Sequence, residues 1–332
     1  CIGGGVFAAH AENEIRELAD LMQIPVITTM MGISVFPDDD QLFCGMIGTH
    51  GVKMANAAVN ECDVLFLVGA RVGDRAVKTP LALEKTTKII HIDIDPAEIG
   101  KNIGADLPLV GDAKLVLQQM TELAKPMKHD EWIAHIKTLG GERKYVEPAK
   151  GTVNPRVFID RLAKKMPANV TVVADVGQNQ IWTCTEYKFR KEGRLLTSGG
   201  MGTMGYSVPA AIGAKMADNS RATVAICGDG AFQMSFMELA TAVQFGVDIK
   251  VVVMTNNRLG MVRELQTNGY HDRQTAVFLD GSPDFIKLAE AYGIPAMRVY
   301  DDDTMDKGIE MLAEHKGICL VEVVVDKDMP TL

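Results

Sequence analysis

Gly228-Asp229-Gly230 closes the apolar run Thr223-Val-Ala-Ile-Cys227, and Thr255-Asn256-Asn257 closes a second run, Lys250-Val-Val-Val-Met254. Two strand-like runs joined by a helical stretch are expected to be neighbours in a parallel sheet. Their polar ends then emerge at one carboxyl edge, where open α/β sheets bind ligands. A carboxylate and an amide oxygen converge there. Mg²⁺ takes one or two such oxygens from protein, while phosphate oxygens and water complete its octahedron. The flanking glycines let backbone N–H groups approach those phosphates. Gly-Asp-Gly alone equally suits a tight turn after a strand, and the second half of the bracket is what favours a metal-bound diphosphate.

Outward from this bracket, further strand candidates lie at Val170–Val173, Leu195-Leu196, Ala296–Val299 and Ile318–Val325. Helical stretches at Tyr206–Met216, Met237–Gln244 and Asp284–Tyr292 fall between them. An earlier set places apolar runs at Pro25–Thr28, Val64–Val68 and Ile89–Ile92 between amphipathic stretches at Ala11–Met22 and Ala113–Leu123. This alternation predicts an α/β protein of two doubly wound, mainly parallel-sheet domains. The first is expected over residues 1–125 and the second over 154–332. Residues 126–153, rich in Lys, Glu, Gly and Pro, read as a connection carrying one helix near Asp130–Leu139.

A chain of 332 residues is long enough for two such cores. Hydrophobic content of 47% and a net charge of −9 indicate an acidic globular protein. Such a charge repels nucleic acid and anionic membranes, and no basic cluster or run of about 18 apolar residues points the other way. The cysteines at 1, 44, 62, 184, 227 and 319 lack metal-ligand spacing, so reduced thiols in a cytoplasm are expected. Cys1-Ile2-Gly3-Gly4-Gly5 reads as the tail of a strand entering a glycine turn, and a longer parent protein is therefore expected.

Other segments have the composition of ligand-binding loops. Val176-Gly177-Gln178-Asn179-Gln180 follows one strand and precedes a helical stretch, the geometry in which amide donors meet an anion. Thr197-Ser198-Gly199-Gly200-Met201-Gly202-Thr203-Met204-Gly205 is too glycine-rich for a helix interior and leads into the next helix. In the first domain, Gly3-Gly4-Gly5 sits where a dinucleotide's pyrophosphate could rest, although it is not the Gly-x-Gly-x-x-Gly fingerprint. Thr29-Met30-Met31-Gly32, Gly48-Thr49-His50-Gly51 and Gly69–Arg75 each follow an apolar run or join two elements. Asp95-Pro96-Ala97-Glu98 reads as a capped helix start, while Asp93 at the strand end is placed for a ribose or adenine hydrogen bond.

Gly-Asp-Gly followed by Asn-Asn resembles the signature of thiamin diphosphate enzymes. The closest likeness is to the acetohydroxyacid (acetolactate) synthase catalytic subunits, and it spans nearly the whole chain. Aligning Asn256-Asn257-Arg258-Leu259-Gly260-Met261-Val262 on the family's Gly-Met-Val makes Asn256 the metal ligand, 27 positions after Asp229. The resemblance adds the Arg258 backbone carbonyl as a third ligand. It assigns thiamin diphosphate to Gly177, Gln178, Asn179, Gly202, Met204, Gly228, Gly230, Ala231, Gly260 and Met261. Within that set, the Gly202 carbonyl takes the cofactor's amino hydrogen and Met204 wedges beneath the thiazolium. A structural FAD is implied at Gly4, Gly5, Thr29, Met30, His50, Gly69, Arg71, Arg75, Asp93, Ile94 and Asp112. The patterns Gly-x-Arg-x-x-Asp-Arg and Asp-Ile-Asp-x-Ala-Glu-Ile-Gly-Lys-Asn carry that part of the likeness. Three positions depart from the family: Asn179 stands for a histidine, Gly73 for an aspartate and Leu265 for a tryptophan that shapes the second-substrate pocket.

The resemblance implies decarboxylation of pyruvate and condensation of its hydroxyethyl unit with a second 2-oxoacid, in branched-chain amino-acid biosynthesis. It assigns no catalytic side chain to these residues, because the family's activating glutamate lies on another domain, and the chain alone is expected to be inactive. It also implies a homodimer or homotetramer and a small regulatory subunit. Another thiamin-dependent 2-oxoacid decarboxylase or carboligase fits the same motifs, as does a non-catalytic cofactor-binding module. A nicotinamide oxidoreductase would use the glycine turn and Asp93 but leaves Asp229 and Asn256 without work.

Overall fold

Continuous valine and isoleucine runs suit strands covered on both faces, and in the computed structural model, which describes residues 1–141 and 145–332, they form parallel sheets in two units. The units comprise Cys1–Arg143 and Lys144–Leu332. Among the described residues, no helix is long and apolar enough to cross a membrane.

In the first unit, β1 (Val26–Thr28) pairs with β2 (Phe43–Met46), and β3 (Val64–Val68), β4 (Lys88–Asp93) and β5 (Leu107–Val110) form a second parallel set. Ile2 joins the two sets by parallel bridges to Thr28 and Val68. The expected strand tail at the glycine turn is therefore real: Ile2 N–H donates to the Ile27 carbonyl at 2.8 Å, and Gly3 N–H to the Val68 carbonyl at 3.0 Å. Helices cover both faces. Ile15, Leu18 and Leu117 pack with Val26, Val68 and Ile92 on one side. Ala55, Val59 and Ile136 pack with Ile27, Leu65 and Ile89 on the other.

Two features here differ from the sequence reading. The helix Asp130–Leu139, expected inside a connection, packs through Ile136 into the core of the first unit. Residues 142–144 of the expected connection lie outside the described residues. Asp95–Glu98 forms turns, not a helix start. Asp95 still accepts from Ala97 N–H at 2.9 Å, but Glu98 bonds Lys101 at 2.7 Å instead of reaching back.

The second unit is one parallel sheet, in the order β10-β11-β9-β8-β6-β7. Its strands are β6 (Thr171–Ala174), β7 (Arg194–Thr197), β8 (Thr223–Gly228), β9 (Lys250–Thr255), β10 (Ala296–Val299) and β11 (Cys319–Val324). Every residue of β6 and β9 is buried, as the unbroken apolar runs predict. Even Lys250 is buried, and its ammonium finds the carbonyls of His315 at 2.7 Å and Gly317 at 2.6 Å. The chain leaves β6 for β7 on one side and returns to β8 on the other. This reversal makes the carboxyl ends of β6 and β8 the switch point at which such sheets open a crevice.

Candidate active-site cleft

At that switch point, the turns after β6, β8 and β9 surround a cleft of about 120 Å³. Gly177, Gln178 and Asn179 line it from the first turn, Gly228, Asp229, Gly230 and Ala231 from the second, and Asn256, Arg258, Gly260 and Met261 from the third. Pockets that bury a whole ligand hold roughly 300–1,000 Å³, so this cleft has room for only part of such a molecule. Helices Gln178–Glu186 and Gly260–Gly269 both start at the cleft. Their first N–H groups lack intrahelical acceptors, and their dipoles favour an anion in front of them.

Asp229 is 1% exposed on the cleft floor. One carboxylate oxygen accepts from Gly230 N–H at 2.8 Å, and the other from Asn257 N–H at 2.6 Å and Asn256 N–H at 3.2 Å. Asn257 adopts φ +54°, so the chain turns left-handed directly after the two N–H groups that bond this oxygen. Burial pushes the Asp229 carboxyl up to about 6, against the N–H bonds from Asn257, Gly230 and Asn256. Among the described residues no Lys, Arg or His forms an ion pair with it. A buried carboxylate without a cation, facing two helix amino ends, suits a divalent ion bound to an anionic ligand.

Asn256 completes this donor set. Its Nδ2 donates to Gln178 Oε1 at 3.2 Å and its Oδ1 accepts from Arg258 N–H at 3.1 Å, leaving Oδ1 a second lone pair for the cleft. No group of three or more His, Cys, Asp or Glu poised for a metal occurs among the described residues. Any cation here would be held by one carboxylate, an amide oxygen and backbone carbonyl oxygen, the set that a hard ion accepts. The Arg258 guanidinium turns away, pairing with Asp280 at 2.7 Å over the Phe278 ring.

Met204 reaches the cleft, its terminal methyl 3.4 Å from where a Cβ on Gly230 would stand. Gly202, expected beside it, turns at φ +67° and does not line the cleft. The glycine segment is anchored by Asp175, which is fully buried and accepts from Gly205 N–H at 3.0 Å and Ser207 N–H at 2.7 Å. Asn179 requires a correction. Its amide hydrogens go to the carbonyls of Asp175 at 2.8 Å and Ile226 at 3.2 Å, stapling β6 to β8 and leaving no side-chain donor for a phosphate. Sequence reasoning also missed Trp182, Leu259 and Val262 in the cleft lining. Trp182 could have been found, since it stands four residues after Gln178 on one helix face.

The residues assigned to FAD gather at the carboxyl edge of the first unit's sheet. Gly5 N–H donates to the Gly69 carbonyl at 3.0 Å, and a Cβ on Gly5 would stand 2.7 Å from Gly69 Cα. Gly4 faces Met31, next to Thr29 and Met30. The His50 loop meets the Arg71–Arg75 loop where Thr49 N–H donates to the Arg75 carbonyl at 2.9 Å. Asp93 and Asp112 flank the Gly111 turn, with Gly111 N–H bonded to the Asp93 carbonyl at 3.0 Å. Asp112 Oδ1 is committed to capping Leu115 N–H at 3.1 Å, and Ile94 is exposed. His91, buried beside Asp93 with both ring nitrogens unbonded, and the unbonded Thr28 hydroxyl supply polar atoms at the same edge. Burial holds the His91 imidazole below its ordinary value, against the pull of Asp93. The close backbone approach of Gly5 to Gly69 at this edge is a feature that a dinucleotide-binding turn also has.

Two family models match the chain. Residues 175–323 match the thiamine pyrophosphate enzyme C-terminal TPP-binding domain, and residues 1–120 match the thiamine pyrophosphate enzyme central domain. A probable acetolactate synthase large subunit of Methanocaldococcus jannaschii is 40% identical over 98% of this chain and 56% of its own length. The acetolactate synthase large subunit of Lactococcus lactis is 36% identical over 98% of this chain and 57% of its own. That of Corynebacterium glutamicum is 40% identical over 98% and 54%. The chain thus spans little more than half the length of the curated relatives it matches.

Proposed function

The chain belongs to the thiamine pyrophosphate enzymes of the acetolactate synthase large-subunit type, and from that premise we propose its reaction. Pyruvate is decarboxylated and its hydroxyethyl unit is condensed with a second 2-oxoacid, on the route to branched-chain amino acids. The observation that supports this most is the buried, cation-free Asp229 facing two helix amino ends, since Mg²⁺ on a diphosphate satisfies both at once.

When bound, thiamin diphosphate supplies a nucleophilic carbon that adds to the 2-oxoacid and accepts the electron pair released with CO₂. The residues of the chain hold and shape. Asp229, Asn256 and the Arg258 carbonyl hold Mg²⁺. The N–H groups at Gly177–Asn179 and Gly260-Met261, with Gly228, Gly230 and Ala231, cradle the diphosphate. Met204, carried on the segment that Asp175 anchors, would contact the cofactor from the cleft wall, whereas Gly202 stands outside the cleft lining. On this reading these residues alone bind cofactor without turnover, and the acting protein is a cytoplasmic oligomer. FAD sits structurally on Gly4, Gly5 and Gly69, and a small regulatory subunit is the partner, in keeping with relatives that are named large subunits.

Full-length protein supplied with pyruvate, Mg²⁺ and thiamin diphosphate should release acetolactate and CO₂. Loss of CO₂ without acetolactate would replace the carboligation with simple decarboxylation, and no consumption of pyruvate would overturn the reading. Flavin absorbance in the purified protein checks FAD separately.

A further inference from the structure

Gln178 has its side chain fully engaged, but not toward the cleft. Its Nε2 donates to the Met329 carbonyl at 2.9 Å, to Thr331 Oγ1 at 3.2 Å and toward Glu264 Oε2 at 3.4 Å. The Thr331 hydroxyl in turn donates to the Glu264 carboxylate, and Thr331 N–H bonds the same group at 3.2 Å. On the other side, Gln178 Oε1 accepts from Asn256 Nδ2 at 3.2 Å. Gln178 is 4% exposed and Thr331 2%, so the middle of this path is shielded from water, while Glu264 and Asn256 at its ends are half-buried.

The direction of the chain is fixed chemically. A carboxylate accepts only, so Thr331 must donate to Glu264 and accept from Gln178. Turning the Gln178 amide over would set its oxygen against a carbonyl, a hydroxyl oxygen and a carboxylate. Gln178 must therefore present oxygen to Asn256, and Asn256 must answer with its NH₂. That leaves Asn256 Oδ1, which also accepts from Arg258 N–H at 3.1 Å, with its second lone pair for the cleft. Each donated hydrogen also polarises the next amide, which makes the terminal oxygen a better cation ligand.

We propose that Glu264, Thr331 and Gln178 form a one-way hydrogen-bond relay that orients Asn256 Oδ1 toward the Mg²⁺ of the cleft, with Thr331 and Glu264 as positioning residues. This rests on the metal–diphosphate reading of the cleft and adds to it the segment around Thr331. Partners that orient a metal ligand typically contribute 10–100-fold to metal affinity.

The test is calorimetric titration of Mg²⁺ into full-length protein held with excess inorganic pyrophosphate, alongside a thermal melt. Thr331→Val keeps the shape and removes the hydroxyl, and should raise the Mg²⁺ Kd roughly tenfold. Thr331→Ser restores the hydroxyl and should return the Kd to the wild-type value. Glu264→Gln, which can offer NH₂ where only an acceptor stood, should weaken Mg²⁺ in the same direction and serves if Thr331→Val does not fold. Wild-type affinity in both Thr331→Val and Glu264→Gln overturns the relay. Equal weakening in Thr331→Val and Thr331→Ser, tracking a lower melting temperature, overturns it in favour of simple packing. If the wild-type protein shows no pyrophosphate-dependent Mg²⁺ binding, the reading of the cleft itself fails.

Discussion

Asp229→Asn should remove a pH dependence from the stability of the second unit. Burial lifts this carboxyl from its ordinary 3.8 to about 6. Between those values the folded unit keeps a proton that the unfolded chain has released. Its contribution to stability is complete below the unfolded value and is lost as pH rises through the folded one. The displacement of roughly two pH units corresponds to about 3 kcal/mol. The chain has two tryptophans, so Trp132→Phe leaves Trp182 as the fluorescence reporter of the second unit. Urea unfolding of this background, with and without Asp229→Asn, is compared at about pH 4 and about pH 7.5. Because pH 4 lies just above the unfolded value, the variant should gain about 2 kcal/mol of that relative to its parent between the two. Mg²⁺ with pyrophosphate should act in opposition, because the cation takes the place of the proton. Its affinity in the parent should rise about tenfold per pH unit below the folded value and level off above it. A stability difference that stays constant across this range would refute the assignment of the shift to Asp229.

Three further outcomes follow from the same geometry. A Cβ on Gly260 would stand 1.8 Å from Gln178 Oε1, so Gly260→Ala should cost about 1–3 kcal/mol and weaken Mg²⁺. Unchanged melting and unchanged calorimetric affinity would contradict the close approach. Asp175→Asn removes one acceptor from the bonds to Gly205 and Ser207 and should destabilise by about 1–3 kcal/mol. It should weaken thiamin diphosphate more than inorganic pyrophosphate, and equal losses would show that Asp175 does not act on the Met204 segment. Trp182 is 2% exposed, and Trp182→Ala should cost about 3–5 kcal/mol in a urea titration followed by circular dichroism. A cost under about 1 kcal/mol would mean that the helix does not depend on that ring.

The strands of the second unit were legible because parallel strands buried on both faces leave unbroken valine and isoleucine runs, as in β9. β5 was not, because Leu107-Pro108-Leu109-Val110 is an edge strand bonded to β4 alone, where proline is tolerated and the apolar signal is weak. The helical stretch expected after Val176–Gln180 is present, but it starts at Gln178, inside that segment; all nine residues of Gln178–Glu186 are buried, so no polar face marks where its period begins. The bracket of Asp229 and Asn256 could be read because each lies at the end of its own strand. The partners of Gln178 could not, since Glu264 and Thr331 stand 86 and 153 positions away and meet it only through the fold. Asn179 misled for the same reason, because its amide is spent on the Ile226 carbonyl of the neighbouring strand.

The anion-facing surface of the cleft is mostly main chain, and this shapes how the protein tolerates genetic drift. Amide groups at Gly177–Asn179 or Gly260-Met261 survive almost any exchange of side chain, except where a new Cβ closes the space or a proline removes the N–H. Gly177, at φ +146°, and Gly260, pressed by Gln178, are the vulnerable points. Inactivating missense changes in this half should therefore concentrate at small residues, while many exposed polar ones nearby vary harmlessly.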